Sequence, residues 1–204
     1  MKRIAAVILA AGGSSRLGRP KQLLPLAGAP ILTHVLRNAA NSSLDEIVLV
    51  LGDQSDVIGD AVGDWGQRTV VNADVAEGQS TSLRAGLKAL PPDVDAVLFL
   101  LGDQPTVRAT VIDAVIAARR SGAPIAMARY GDELRHPVLF GRELFPELFA
   151  VRGDSGARMV LAVHAERIVP VSIYEIAAPL DVDTEADYQA LLQIWDSLRL
   201  DVES

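Results

Sequence analysis

The chain has 204 residues, half of them hydrophobic and only 4% aromatic, with a formal net charge of −7 and no cysteine. That length fits one domain. The acidic balance argues against a general nucleic-acid binder, and the lack of cysteine excludes disulfides, thiolate metal sites and a cysteine nucleophile.

Ile4–Leu9 reads as a buried apolar strand, too short to span a membrane. It runs into glycines and not into a cleavage site, so no signal peptide is expected; a cytoplasmic protein without membrane partners is. The loop after it, Ala10-Ala11-Gly12-Gly13-Ser14-Ser15-Arg16-Leu17-Gly18-Arg19-Pro20-Lys21, combines glycines, two hydroxyls and three cations. Glycines let backbone N–H groups approach phosphate oxygens, and fixed cations neutralise them. A polyphosphate site is expected, with an ordinary basic surface loop as the competing reading. The P-loop pattern fails, because Arg19-Pro20 follows Gly18 where Lys and Ser or Thr are required. The dinucleotide fingerprint fails as well. The loop is expected to stay open through Pro25 and Gly28, with the first helix over Pro30–Ala40.

Further strands are expected at Ile47–Leu51, Thr69–Val71, Ala96–Leu101, Ile125–Ala128 and Ile168–Ile173. Helices are expected at Gln54–Val62, Ser80–Leu90, Val107–Arg119, Ser155–Ala165 and Glu185–Leu198. This alternation predicts an α/β fold: a single domain over 1–204 with a doubly wound, mostly parallel sheet. The stretch 129–153 is less regular and reads as an excursion with a small strand around Val138–Phe140. Ligands of such sheets bind at the carboxyl ends of strands.

Two strands end alike, in Leu51-Gly52-Asp53-Gln54 and Leu101-Gly102-Asp103-Gln104-Pro105. Asp53 precedes a helical pattern and reads as an N-cap. Asp103 follows the most hydrophobic strand. A lone carboxylate there, facing a triphosphate, suits Mg2+, which takes one or two carboxylates with phosphate oxygens and water; capping of the following helix, a role Thr106 could also fill, is the competing role. Near the end, Thr184 and Asp187 form a capping-box pattern. Asp181 and Asp183 alternate along an extended segment and so share a side. Either could complete the metal site; Asp183 is preferred because it lies closer to the helix. His34 and His164 fall in helical patterns and read as structural.

These residues together resemble the molybdenum cofactor cytidylyltransferases, within the nucleotidyltransferases that include the guanylyl-transferring enzymes and sugar-nucleotide synthetases. The resemblance rests on five motifs in order. They are Leu9-Ala10-Ala11-Gly12 through Lys21-Gln22-Leu23-Leu24-Pro25; Glu77-Gly78-Gln79-Ser80-Thr81-Ser82-Leu83; Gly102-Asp103-Gln104-Pro105; His136-Pro137-Val138-Leu139-Phe140 with Gly153-Asp154-Ser155-Gly156-Ala157-Arg158; and Asp181-Val182-Asp183-Thr184. Leu-Ala-Ala-Gly and Glu-Gly-x-Ser-x-Ser-Leu favour the cytidylyl branch. Arg135 stands where glycine commonly precedes the His-Pro pair, and Ser155 where a longer polar residue is common.

The resemblance implies a Rossmann-like nucleotidyltransferase fold and transfer of CMP from CTP to the terminal phosphate of molybdopterin, with release of pyrophosphate. It implies Arg16, Lys21 and Asp103 as catalytic residues, and Mg2+ on Asp103 and Asp183. Leu9, Ala10, Ala11, Gly12, Gly13, Arg16, Lys21, Gly78, Ser80 and Ser82 would hold the nucleotide, although Ser80 and Ser82 could equally serve as helix caps. His136 and Arg158 would meet the acceptor, where a hydrogen-bonded loop histidine and a solvated helix face are the plainer roles. The implied partners are CTP, molybdopterin and, in passing, a molybdoenzyme or its maturation chaperone. A transferase using GTP or a sugar phosphate, a non-catalytic molybdopterin escort and a nicotinamide-dependent oxidoreductase remain as alternatives.

Overall fold

Strand β1 (Ile4–Leu9) is apolar throughout because both of its faces are covered. The computed structural model describes residues 2–13, 17–174 and 177–200, with side chains through Ser197. In it β1 pairs in parallel with β4 (Glu46–Leu51) on one side and β6 (Ala96–Leu101) on the other. The remaining long strands are β5 (Arg68–Val71), β7 (Ile125–Tyr130), β8 (Glu133–Gly141) and β9 (Ile168–Ile173). Among the described residues they form one seven-stranded sheet in the order β5-β4-β1-β6-β8-β7-β9. β8 alone runs antiparallel to its neighbours. This is an α/β fold with a mostly parallel sheet, as the alternation predicts.

Helices cover both faces. Ile4, Ala6 and Ile8 of β1 pack with α1 (Ile31–Ala40), α2 (Ser55–Val62) and α4 (Ala109–Arg120), through residues such as Leu36, Ile58 and Ile112. Val7 and Val48 face the other way, onto α3 (Gln79–Lys88), α5 (Phe145–Ala150) and α6 (Arg158–Val163). α3 lies so close to the sheet that a Cβ on Gly86 would collide with Val7 Cγ1 and come within 3.1 Å of Val50. The chain leaves β1 outward through β4 and β5, then returns to the opposite side of β1 as β6. That reversal opens a crevice at the carboxyl ends of β1 and β6, where open α/β sheets bind ligands.

Four local features differ from the sequence expectations. The segment after Lys21 does not stay open: β2 (Pro25–Leu26) and β3 (Ala29–Pro30) form a short ribbon that turns through Ala27 and Gly28, both with positive φ. Leu24, Leu26 and Ile31 give this ribbon its own small core with Tyr188 and Leu191 of α7 (Glu185–Leu200). The strand expected around Val138–Phe140 extends to nine residues and lies inside the sheet. Asp53 is not the cap of α2; Gln54 takes that position without a side-chain cap bond, because Ser55 N–H bonds to Gly52 O and places Asp53 in the preceding turn. α4 starts at Ala109 behind Arg108, so neither Asp103 nor Thr106 caps it. The Thr184–Asp187 capping box is formed: Thr184 N–H donates to Asp187 over 2.8 Å, and Asp187 N–H to Thr184 Oγ1 over 3.2 Å. His34 and His164 make structural bonds, to Leu26 O and Glu147. Among the described residues no helix is long and apolar enough to cross a membrane.

Candidate active site

The glycine loop is held from beneath by a residue the sequence reading passed over. Gln22 is 3% exposed, and its Nε2 donates to Ala10 O at 2.7 Å and to Gly12 O at 3.2 Å. Those two bonds fix the carbonyls on one side, and Ala10 N–H is spent on Val50 O. A glutamine directly after the loop lysine was the signal, since a buried amide needs partners and the loop backbone supplies them. Gly12 and Gly13 have open space where a Cβ would project. Arg16, with Ser14 and Ser15, lies outside the described residues. Arg19 reaches Glu185 at 3.3 Å, in an exposed pair.

Lys21 opens a short 3-10 turn, Lys21–Leu23, that aims its side chain across the crevice. Its Nζ donates to Asp103 at 2.6 Å and to Asp183 at 2.8 Å. One ammonium therefore bridges the tip of β6 and the segment before α7. Burial alone would lower the Lys21 ammonium, but attraction to Asp103 and the two hydrogen bonds outweigh it and carry it above its usual 10.5. Burial also lifts the Asp103 carboxyl above the usual 3.8, against the pull of Lys21. The two shifts favour opposite charge states of one pair. The short contact, shared with a second carboxylate, decides for the ionised pair at neutral pH. Next in sequence, Gln104 is 3% exposed and donates from Nε2 to Asp181 at 2.6 Å. Asp181 and Asp183 are thus tied to the β6 tip by separate links.

Asp103, Asp181, Asp183 and Lys21 border a cavity of about 580 Å³ together with Leu9–Gly13, Gly78 and Ser82. Ser80 does not line it: the residue is 1% exposed and its hydroxyl accepts from Arg84, which also bonds Val151 O. Ser82 reaches the cavity while accepting from Asn72 at 2.9 Å. Neither serine caps α3, whose N-cap is Gly78 with φ 106°. An all-oxygen set of aspartates fits a hard divalent cation. Among the described residues no cluster of three or more His, Asp or Glu is arranged to hold a metal by itself. Such an ion would need phosphate oxygens to complete its shell, which is how Mg2+ commonly binds.

His136 and Arg158 meet at a neighbouring cavity of about 260 Å³, and Arg158 and Asp181 border both. The antiparallel course of β8 explains the position of His136. Phe99 pairs with Val138, so residues before Val138 run on toward the carboxyl end of β6. Between the pairs Met127–Val138 and Ala128–Arg135 the ladder breaks register, leaving His136 and Pro137 in a bulge joined by a cis peptide. Bulges re-aim side chains beside functional sites. Here the His136 ring turns to Phe99 O, with Nδ1 3.3 Å away. Burial holds His136 below its usual 6.5, so the ring is neutral at pH 7. Phe99, Met127 and Val138 give this cavity an apolar floor, and Arg135 stands at its border, paired with Glu133.

A model described as the MobA-like NTP transferase domain matches residues 6–168. The chain belongs to this family. Among curated proteins, the nicotine blue oxidoreductase of Paenarthrobacter nicotinovorans is similar to this MobA-like chain, 30% identical over 198 residues that cover 93% of it and 96% of the relative. The 2-C-methyl-D-erythritol 4-phosphate cytidylyltransferase of Streptomyces avermitilis is 38% identical over 129 residues, 60% of this chain and 52% of that protein. Among solved structures, Rv0371c of Mycobacterium tuberculosis in complex with manganese superposes with a TM-score of 0.83 and 32% identity, covering 94% of this chain and 98% of that one. The nucleotidyltransferase family expected from the sequence is thereby established.

Proposed function

We propose that this chain transfers CMP from CTP to the terminal phosphate of molybdopterin and releases pyrophosphate. The observation that carries the reading is the Lys21 bridge between Asp103 and Asp183, facing the glycine loop across one cavity. An acceptor phosphate attacks the α-phosphorus of CTP, the bond to the bridging oxygen breaks, and the pyrophosphate leaves with the electron pair. Two anions must meet, so the demand on the protein is charge neutralisation and in-line alignment. Amides of Gly12 and Gly13, with Lys21 and Arg16, hold the triphosphate and stabilise the leaving group. Mg2+ on Asp103 and Asp183 supplies further neutralisation of the phosphate oxygens. Gly78 and Ser82 border the nucleoside end. The apolar floor beside His136 takes a flat ring, and Arg158, shared by both cavities, takes the acceptor phosphate.

The choice of CTP draws on the motif resemblance and on the relative named as a cytidylyltransferase. Purified protein incubated with Mg2+, molybdopterin and each NTP tests it by pyrophosphate release. CTP is expected to lead by about tenfold or more in kcat/KM. Turnover with GTP or with a sugar phosphate instead would reassign the substrate, and binding without release would indicate an escort. The relative named as an oxidoreductase supports a second reading, a nicotinamide-dependent redox reaction at the same cavities. Following the absorbance of a nicotinamide cofactor mixed with the purified protein separates the two.

A further inference from the structure

Lys21 occupies the position the proposed metal must take. Its Nζ sits 2.6 Å from Asp103 and 2.8 Å from Asp183, so a single ammonium fills the space between both carboxylates. The pair is poorly solvated: the Lys21 side chain is 16% exposed and that of Asp103 10%. Two cations placed there together would repel strongly in so little water. Asp103 without any cation would be a buried unpaired charge, which is costly.

We propose that Lys21 is a resident counter-cation that exchanges with the divalent ion. In the free protein it neutralises Asp103 and Asp183. When the metal arrives with the triphosphate, Nζ swings from the carboxylates to the phosphate oxygens, and the metal takes its place. Several observations make the exchange feasible. The lysine head is a point charge on a flexible four-carbon stem. Lys21 borders the same cavity as Gly12 and Gly13, so the phosphate position lies within that cavity. The segment carrying Asp183 does not depend on Lys21 for its place: Gln104 holds Asp181 at 2.6 Å, Val182 is fully buried, and the Thr184–Asp187 box anchors the chain just beyond. A metal without nucleotide offers the displaced ammonium no new anion. Metal and nucleotide therefore bind interdependently, with Lys21 as the coupling element. The inference rests on the reading of this cavity as a metal–triphosphate site.

The test is titration of the nucleotide-free protein with Mn2+, followed by the electron paramagnetic resonance of the free ion. Lys21→Met and Lys21→Gln differ in shape but both lose the charge, so a folding defect in one leaves the other. Each is expected to bind Mn2+ about tenfold or more tightly than the wild type, within the usual range for coupled sites. Arg158→Gln removes a cation from the same cavity but not from between the carboxylates, and should change Mn2+ affinity by less than about threefold. Lys21 variants that bind no tighter than wild type, or Arg158→Gln tightening as much as they do, would overturn the exchange. Adding Asp103→Asn to Lys21→Met separates the two levels. Loss of the gain places the ion at Asp103 and supports the exchange; a gain that survives puts the ion elsewhere, and both the exchange and the site reading fall.

Discussion

Asp103 is drawn two ways, upward by burial and downward by Lys21, and the balance governs when the site is charged. Its carboxyl titrates above 3.8, so protonation disables it at a higher pH than an exposed aspartate would suffer. The acid limb of kcat/KM against pH is therefore expected above the 3.8 of an exposed aspartate. A limb at or below that value would show that Asp103 is not the controlling group. Lys21→Ala and Asp103→Ala should each cut turnover by roughly 10²–10³, the usual loss for a preorganised charge. Circular dichroism establishes that the variants fold, and a folded Asp103→Ala protein with near-normal turnover would remove the metal assignment. Asp103 and Lys21 were legible in the sequence because each follows a strong local signal, a strand tip and a glycine loop. The roles of Gln104 and Gln22 were not read: the place of Gln22 directly after the loop lysine hinted at a buried amide, but only the folded chain shows that Gln22 holds Ala10 O and Gly12 O and that Gln104 holds Asp181.

At the scale of elements, inner strands read from their covered faces, as β6 does with its unbroken Ala-Val-Leu-Phe-Leu-Leu run, while the more exposed edge strands β5 and β9 read from their β-branched residues. Of β8 only the part around Val138–Phe140 was read; its first half escaped because Glu133-Leu134-Arg135-His136-Pro137 carries charge and a proline, which normally demote a segment from a sheet interior. The bulge at His136 and Pro137 is what reconciles that sequence with an interior position. The β2–β3 ribbon was missed for a different reason: its two-residue strands are held by tertiary contact with α7, which local propensity does not record. Gly86 shows what α3 requires of the sequence. Gly86→Ala places a methyl group against Val7 and Val50, so overpacking should cost about 1–3 kcal/mol. A urea midpoint unchanged from wild type would mean that α3 can lift off the sheet without penalty.

For the whole molecule, acid stability follows from the same architecture. His136 is held neutral by burial, below the 6.5 it has when unfolded. The unfolded chain thus binds more protons as pH falls through 6.5, and stability is lost on the acid side of that value. The Glu143 and Asp187 carboxyls lie below their usual 4.5 and 3.8, so the stability they add is lost only at lower pH. Urea midpoints at about pH 7.5 and about pH 5.5 bracket the histidine window, and a His136→Gln variant separates it from the opposite contribution of the raised Asp103 carboxyl. The drop should shrink in His136→Gln, and an equal drop in both proteins would exclude the histidine as its cause.

β8 is hydrogen-bonded along both edges, to β6 and to β7, from Val138 to Phe140. Its amides should be among the last to exchange with deuterated solvent, at rates set by global opening, while Gly12 and Gly13 exchange early. The sheet next to the His136 bulge is therefore expected to hold its shape when a ligand binds. On the proposed function, closing around a nucleotide would then fall to the opposite lip, with the acceptor side of the crevice shaped already at folding.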